Sequence, residues 1–116
     1  MIRNLLATSV VALSFALSAC GSGTEVIPAA PSQAKVELLS GGAHFTWKDN
    51  SDNEDEFMLE RLVEGGTFTA LVSQPFNSTA YHDTTVTPGK TYMYRVAAMN
   101  TAGMSAPSNE VTIAIP

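Results

Sequence analysis

The chain has 116 residues, with 11 acidic and six basic side chains and a formal net charge of −5 at pH 7. This length suits one ordinary domain. The few, scattered basic residues exclude a nucleic-acid-binding surface, because phosphate neutralisation needs clustered Lys and Arg. A disulfide within the chain is also excluded, because Cys20 is the only cysteine.

The first predicted element is a signal peptide over residues 1–19. Arg3 supplies a positive charge, and the run from Leu5 to Ala19 is uncharged and mostly apolar. A basic start, a short apolar core and small residues at the end are typical of a secretory signal peptide. The run is shorter than the roughly 20 residues that span a bilayer as a helix. A buried amphipathic helix is the alternative, but it lacks charged residues on a polar face.

Cys20 follows this apolar run directly. Leu17-Ser18-Ala19-Cys20 resembles the lipobox of bacterial lipoproteins. The resemblance implies a diacylglyceryl group on the Cys20 thiol and cleavage before Cys20, and Gly21 in the next position resembles the signal for outer-membrane sorting. We therefore expect a lipid-anchored protein of the bacterial cell envelope, held in the outer membrane through Cys20. A spare structural cysteine is the alternative.

Residues 20–30 are predicted to be the lipidated cysteine and a flexible tether. Gly and Ser confer flexibility, whereas Pro28 and Pro31 stiffen the distal end. About ten residues reach at most roughly 33 Å when fully extended. The folded domain, predicted over residues 31–116, is therefore expected close to the membrane surface.

Residues 31–116 show short alternating runs instead of a helical period. One face of each run collects the apolar side chains, and turn residues such as Gly41-Gly42 and Pro88-Gly89 separate the runs. Such regular short strands predict an all-β sandwich. The residues expected in its core are Phe45, Trp47, Phe57, Leu59, Tyr92, Tyr94 and Val96.

The stretches FTWKDNSDNEDEFMLER and TPGKTYMYRVAAMNTAGMSAPSNEV resemble the fibronectin type III family in its bacterial form. Trp47 falls on the family's core tryptophan. Tyr92 falls on the tyrosine corner, where a phenol bonds back to the backbone. The resemblance implies an immunoglobulin-like antiparallel β-sandwich of about seven strands, with strands A, B and E packed against C′, C, F and G.

Metal binding and catalysis have little support in the sequence. The run from Asp49 to Glu56 offers many oxygen ligands, as calcium loops do, but it lacks the glycine and glutamate of the helix-loop-helix site, and a solvated turn is favoured. His44 and His82 are expected on one outer face, and two histidines without a carboxylate make a poor zinc site. No motif indicates an enzyme. We therefore expect no metal, no cofactor and no catalysis.

The sequence predicts function at the level of an adhesion, scaffold or protein-interaction module, whose partner is another envelope or extracellular protein or a glycan. Strands C and F are expected to share an outer face, formed by Met58, Glu60, Leu62, Met93, Arg95, Ala97 and Met99. Methionine surfaces are adaptable and suit protein contacts, although scattered exposed methionines are also ordinary. A carbohydrate-binding module, which needs exposed aromatic rings such as Phe68 or Phe76, is the main alternative. A small surface hydrolase is the last alternative function.

Overall fold

A computed structural model describes residues 25–116, which contain eight β-strands and no helix. The strands are β1 (Ser32–Leu39), β2 (Gly42–Lys48), β3 (Glu56–Val63), β4 (Thr69–Pro75), β5 (Ala80–Asp83), β6 (Thr91–Asn100), β7 (Gly103–Met104) and β8 (Val111–Ala114). The predicted signal peptide and Cys20 lie outside the described residues.

The strands form two antiparallel sheets. One sheet has the order β1-β2-β5, and the other has the order β4-β3-β6-β7, with β8 also paired to β6. The first sheet corresponds to the predicted A, B and E strands, and the second to C′, C, F and G. The prediction of an all-β sandwich is therefore confirmed, with eight strands in place of about seven.

The extra strand is the short β7, which pairs with β6 before the last predicted strand begins. Pro107 lacks an N–H group and cannot donate to a ladder, and the chain leaves β6 between Met104 and Val111. Ser105 and Ser108 fill the gap. Their hydroxyl oxygens accept from the Ala98 and Val96 amides at 2.9 and 3.1 Å, and their own amides donate to the carbonyls of the same two residues. The edge of β6 is thus satisfied without a continuous partner strand.

The hairpin between β1 and β2 depends on two residues in the left-handed region. Ser40 and Gly41 have φ values of 50° and 77°, as a two-residue turn of type I′ requires. Gly42 follows, and a Cβ atom there would lie 2.7 Å from the Asp83 carbonyl oxygen and 2.8 Å from His82 Nε2. The first sheet therefore closes at this point only because Gly42 has no side chain.

All seven residues predicted for the core are buried, each 4% exposed or less. Aromatic rings connect the two sheets: the Phe45 ring centroid lies 5.5 Å from that of Tyr94, and the Trp47 ring centroid lies 5.6 Å from that of Phe57. The Tyr92 hydroxyl accepts a hydrogen bond from the Thr87 amide at 2.7 Å. This bond is the backbone contact that the tyrosine corner predicts.

The segment before β1 differs from the predicted tether. Residues 25–30 contact the domain: Pro28 is buried, and the Val26 carbonyl accepts hydrogen bonds from Asn53 Nδ2 at 2.9 Å and Asn100 Nδ2 at 2.8 Å. Two asparagines far apart in sequence thus hold the segment. Residues 25–30 are therefore packed against the domain, and residues 20–24 of the predicted tether lie outside the described residues.

Candidate partner-binding face

The proposed face is built by the register between β3 and β6. Met58 lies opposite Ala97, Glu60 opposite Arg95, and Leu62 opposite Met93. Because side chains alternate along a strand, these pairs lie on the side of the sheet away from the core. The structure therefore brings the predicted face residues together, with Met99 at the end of the row.

An ion pair occupies the centre of this face. Arg95 Nε lies 2.7 Å from Glu60 Oε1, and Arg95 Nη1 lies 3.4 Å from Glu110 Oε2. The Arg95 guanidinium carbon also lies 4.0 Å from the ring centroid of Phe68. Such a cation–π contact adds to the attraction of the charges. Arg95 is therefore held by two carboxylates and an aromatic ring, and Phe68 covers part of the face.

Ala97 does not belong to the exposed face, and the prediction that it does is wrong. It is only 4% exposed, although its phase on β6 points away from the core. Ala97 is a small residue in the middle of β6, and the longer Met58 side chain of β3 lies opposite it. The other six predicted face residues are half-buried.

Met104 belongs to this face and was not predicted. It lies opposite Met99 in the pairing of β6 with β7, and it is 46% exposed. All four methionines of residues 25–116 therefore lie on the outer side of one sheet: Met58, Met93, Met99 and Met104. The sequence signal was available, since Met104 directly follows the glycine that ends the predicted turn after strand F.

A buried charge network lies between the sheets, and the sequence interpretation missed it. Asp83 of β5 is fully buried, and its Oδ2 atom accepts from Arg61 Nη1 at 2.8 Å and from the Tyr94 hydroxyl at 2.6 Å. Its Oδ1 atom accepts from the Thr85 amide at 2.9 Å and the Thr85 hydroxyl at 2.6 Å. Asp83 thus joins β5 of one sheet to β3 and β6 of the other.

The network sets the ionisation of its members. Burial raises the pKa of Asp83, but the hydrogen bonds from Thr85, Tyr94 and Arg61 outweigh burial and hold it below its usual range. Burial and the Asp83 carboxylate together raise the pKa of the Tyr94 hydroxyl. Asp83 therefore stays ionised and Tyr94 stays neutral near pH 7.

The acidic loop after β2 is organised by its own side chains. Asp49 Oδ1 accepts from the Ser51 amide at 3.0 Å, and Glu54 accepts from the Ser51 hydroxyl at 2.8 Å and the Asn77 amide at 3.0 Å. Burial raises the pKa of Glu54, but the hydrogen bonds from Asn77 and Ser51 outweigh burial, so that the pKa lies below its usual range. The two Glu54 oxygens are therefore occupied by donors of the protein itself.

His44 and His82 lie opposite each other on β2 and β5, with ring centroids 5.6 Å apart. Glu37 of β1 lies opposite His44 on its other side. Nevertheless, within residues 25–116 no group of three or more His, Cys, Asp or Glu side chains is placed to hold a metal ion. The described residues also include no helix long and apolar enough to cross a membrane.

A groove of about 540 Å³ lies where the edges of the two sheets meet, beside β1 and β8. Its lining residues are Ala34, Lys35, Val36, Glu37, His44, Thr46, Val111 and Thr112. The lining includes no phenylalanine, tyrosine or tryptophan. A sugar ring would therefore find no aromatic platform in this groove.

Comparison with solved structures decides the fold. The chain is similar to a Fn3-like protein from Clostridium thermocellum, with a TM-score of 0.64 and 28% identity over 78% of this chain and 96% of that one. It is also similar to the sixth fibronectin type III domain of human fibronectin type III domain containing protein 3, with a TM-score of 0.63, 25% identity and coverage of 84% and 92%. The domain has a fibronectin type III-like fold.

A curated relative extends the comparison of this fibronectin type III-like domain. The chain is 32% identical over 87 residues to an amylopullulanase from Thermoanaerobacterium saccharolyticum. The match covers 74% of this chain but spans only 7% of the length of that protein. No family model matches the chain. The similarity is therefore to a small part of a much larger protein.

Proposed function

We propose that the protein is a non-catalytic, lipid-anchored component of the bacterial cell envelope, and that its fibronectin type III-like domain is a protein-interaction module for adhesion or scaffolding. The lipobox-like Leu17-Ser18-Ala19-Cys20 supports the anchor, and the sorting resemblance at Gly21 supports the outer membrane. The partner is an envelope or extracellular protein.

The outer face of β3, β6 and β7, which we call the methionine face after Met58, Met93, Met99 and Met104, supports the proposal for interaction. Its four methionines surround the Glu60–Arg95 pair, and three of them are half-buried while Met104 is 46% exposed. Unbranched, polarisable side chains adapt to a partner's shape, and a charged pair at the centre fixes orientation more than it adds affinity. An apolar sheet face with one charged centre suits a protein partner of mixed character.

The interaction is tested by Met58→Glu combined with Met93→Glu in the full chain. Photo-crosslinking in intact envelopes should give a discrete partner with the wild type and lose it with this variant. The matched control is Leu39→Glu combined with Lys48→Glu, which places two carboxylates at exposed positions of the other sheet. Equal crosslinking by all three proteins, each folded by circular dichroism, would remove the methionine face from consideration.

The anchor is tested by Cys20→Ser. Metabolic labelling with a clickable fatty acid should mark the wild type and leave this variant unlabelled and unprocessed. Because Cys20 is the only thiol in the chain, residual labelling cannot come from another cysteine. Equal labelling of both proteins would contradict the lipid anchor.

A carbohydrate-binding module is the second candidate, favoured by the similarity to part of an amylopullulanase. Among the described residues, Phe76 is the one aromatic side chain that is largely exposed, at 63%. Sugar binding through Phe76 would make Phe76→Ala weaken retention on an insoluble polysaccharide such as starch. Equal retention of wild type and Phe76→Ala would leave the protein-interaction proposal as the better account.

A further inference from the structure

The described chain begins on one end of the sandwich and is fixed there. The Val26 carbonyl is held by Asn53, in the loop after β2, and by Asn100, the last residue of β6. Ile27 Cδ1 lies 3.1 Å from the position that a Cβ atom would take on Gly103. We call this the entry end of the domain. It carries the loops that follow β2, β4 and β6, since the Asn77 amide after β4 bonds to Glu54.

This attachment shortens the link to Cys20. Only the stretch from Cys20 to Glu25 separates the proposed lipid from the entry end, in place of the ten residues that the sequence suggested. Five residue steps extend to at most about 17 Å. The entry end is therefore the part of the domain that a lipid on Cys20 would hold against a membrane.

The entry end carries four exposed apolar side chains. Val26 is 66% exposed, Phe76 63%, Ile27 51% and Met104 46%. Ile27 contacts the turn that leads to Met104, and Val26 and Phe76 flank the loop of Asn53 and Glu54. We name these four side chains the apolar rim. Exposed apolar side chains grouped at one end indicate a contact surface.

The opposite end also exposes apolar side chains, but the chain does not enter there. Leu38 and Leu39 are each 47% exposed, and Val63 is 36% exposed. The eight residues of β1 separate Leu39 from the entry end by about 26 Å. Exposure alone therefore does not distinguish the two ends, whereas the short link to Cys20 does.

We infer that the apolar rim rests on the surface of the bilayer that holds Cys20, with Phe76, Val26 and Ile27 at the boundary between headgroups and acyl chains. This inference rests on the proposed lipid anchor. An anchored domain meets its own membrane at high effective concentration, so a few exposed apolar side chains suffice to bind the interface. The sandwich then stands upright, and the rest of its methionine face, with Met58, Met93 and Met99, points sideways along the membrane.

The negative charge of the entry end favours one class of lipid over another. Asp52, Asp55 and Glu25 are exposed at the entry end, and Asp49 is half-buried beside them. Carboxylates close to an anionic surface are repelled, and salt weakens the effect. The bilayer that fits the apolar rim is therefore zwitterionic, such as one rich in phosphatidylethanolamine.

The test uses the single cysteine of the chain. In the lipidated full-length protein the Cys20 thiol is blocked, so Phe76→Cys or Met104→Cys introduces one free thiol for an environment-sensitive fluorophore. Leu39→Cys, at the opposite end and similarly exposed, is the matched control. In phosphatidylethanolamine–phosphatidylcholine vesicles that contain quencher lipids, labels at 76 and 104 should emit at shorter wavelength and lose emission, whereas the label at 39 should not.

The outcomes separate this inference from the proposed anchor. Mass spectrometry of each protein reports the lipid on Cys20, and its absence would overturn the proposed anchor and this inference with it. Lipid present with equal quenching at 39, 76 and 104, or with none at any of them, would overturn the upright orientation alone. Phosphatidylglycerol added to the vesicles should reduce quenching at 76 and 104. Unchanged or stronger quenching would refute the assignment of a zwitterionic surface.

Discussion

Replacing Asp83 with asparagine should destabilise the domain far more than removing a surface charge. Each carboxylate oxygen of Asp83 accepts from two donors: Oδ2 from Arg61 and Tyr94, and Oδ1 from the amide and hydroxyl of Thr85. Asparagine has one oxygen and one NH₂ group. Hydroxyl groups can rotate to accept, but the Arg61 guanidinium and the Thr85 amide can only donate. One of these donors must therefore face the NH₂ group.

The size of the effect follows from burial. Removing one partner of a buried ion pair costs about 3–5 kcal/mol, because the remaining charge is left without compensation. The Arg61 side chain is 21% exposed, whereas that of Asp83 is fully buried, so Arg61 regains some hydration. We therefore expect a loss of about 3 kcal/mol for Asp83→Asn. That is a large share of the roughly 5–15 kcal/mol by which domains of this kind are stable.

The same carboxylate contributes to the acid sensitivity of the fold. Its pKa is held below the usual range in the folded state, so at low pH the unfolded chain binds the proton first. The stabilisation is complete above the unfolded pKa of about 3.9 and is lost as the pH falls toward the folded pKa. The stability difference between wild type and Asp83→Asn should therefore narrow below about pH 4. Glu54, whose pKa is also lowered, remains in both proteins.

Urea unfolding followed by the fluorescence of Trp47, the only tryptophan, measures both effects. The matched control is Glu60→Gln, which breaks the partly exposed pair with Arg95 and should cost less than about 1 kcal/mol. A loss of less than about 1 kcal/mol for Asp83→Asn at pH 7 would show that the network contributes no more than a surface pair. That result would refute the argument from burial.

Three further predictions concern the core and the hairpin. Trp47→Ala should lower the free energy of unfolding by about 3–5 kcal/mol in urea titrations followed by circular dichroism, and a near-neutral result would contradict its place in the core. Tyr92→Phe should cost about 1–3 kcal/mol, because the Thr87 amide loses its acceptor; no change would mean that water replaces the phenol. Gly42→Ala should cost about 1–3 kcal/mol, because the added Cβ would collide with the Asp83 carbonyl oxygen and with His82, and unchanged thermal unfolding would rule out these contacts.

The sequence alone indicated the side that β2, β3 and β6 turn toward the core. Alternation put Phe45 and Trp47 on one face and Tyr92, Tyr94 and Val96 on another, and all five are buried. This works because the side-chain period of a strand is two, so phase can be read locally. The position of Tyr92 after a Thr-Pro-Gly turn also indicated its bond to the backbone, since that partner lies only five residues away.

Part of the buried charge network could also be predicted from the sequence. Arg61 shares the phase of Phe57 and Leu59, so it had to point inward, and a buried cation requires an anion. The sequence did not indicate which residue supplies that anion. Asp83 lies 22 residues further along the chain, on a strand of the other sheet. Only the packing of the two sheets decides which carboxylate meets Arg61.

The tertiary structure alone decided the features that depend on distant partners. The segment at Val26 looked like a linker by composition, but Asn53 and Asn100 hold it through bonds that span 27 and 74 residues. Ala97 looked outward by phase, yet it is only 4% exposed, on a sheet face where Met58 of β3 lies opposite it. Local composition records what a residue prefers, whereas coverage and hydrogen-bond partners depend on segments that only the folded chain brings together.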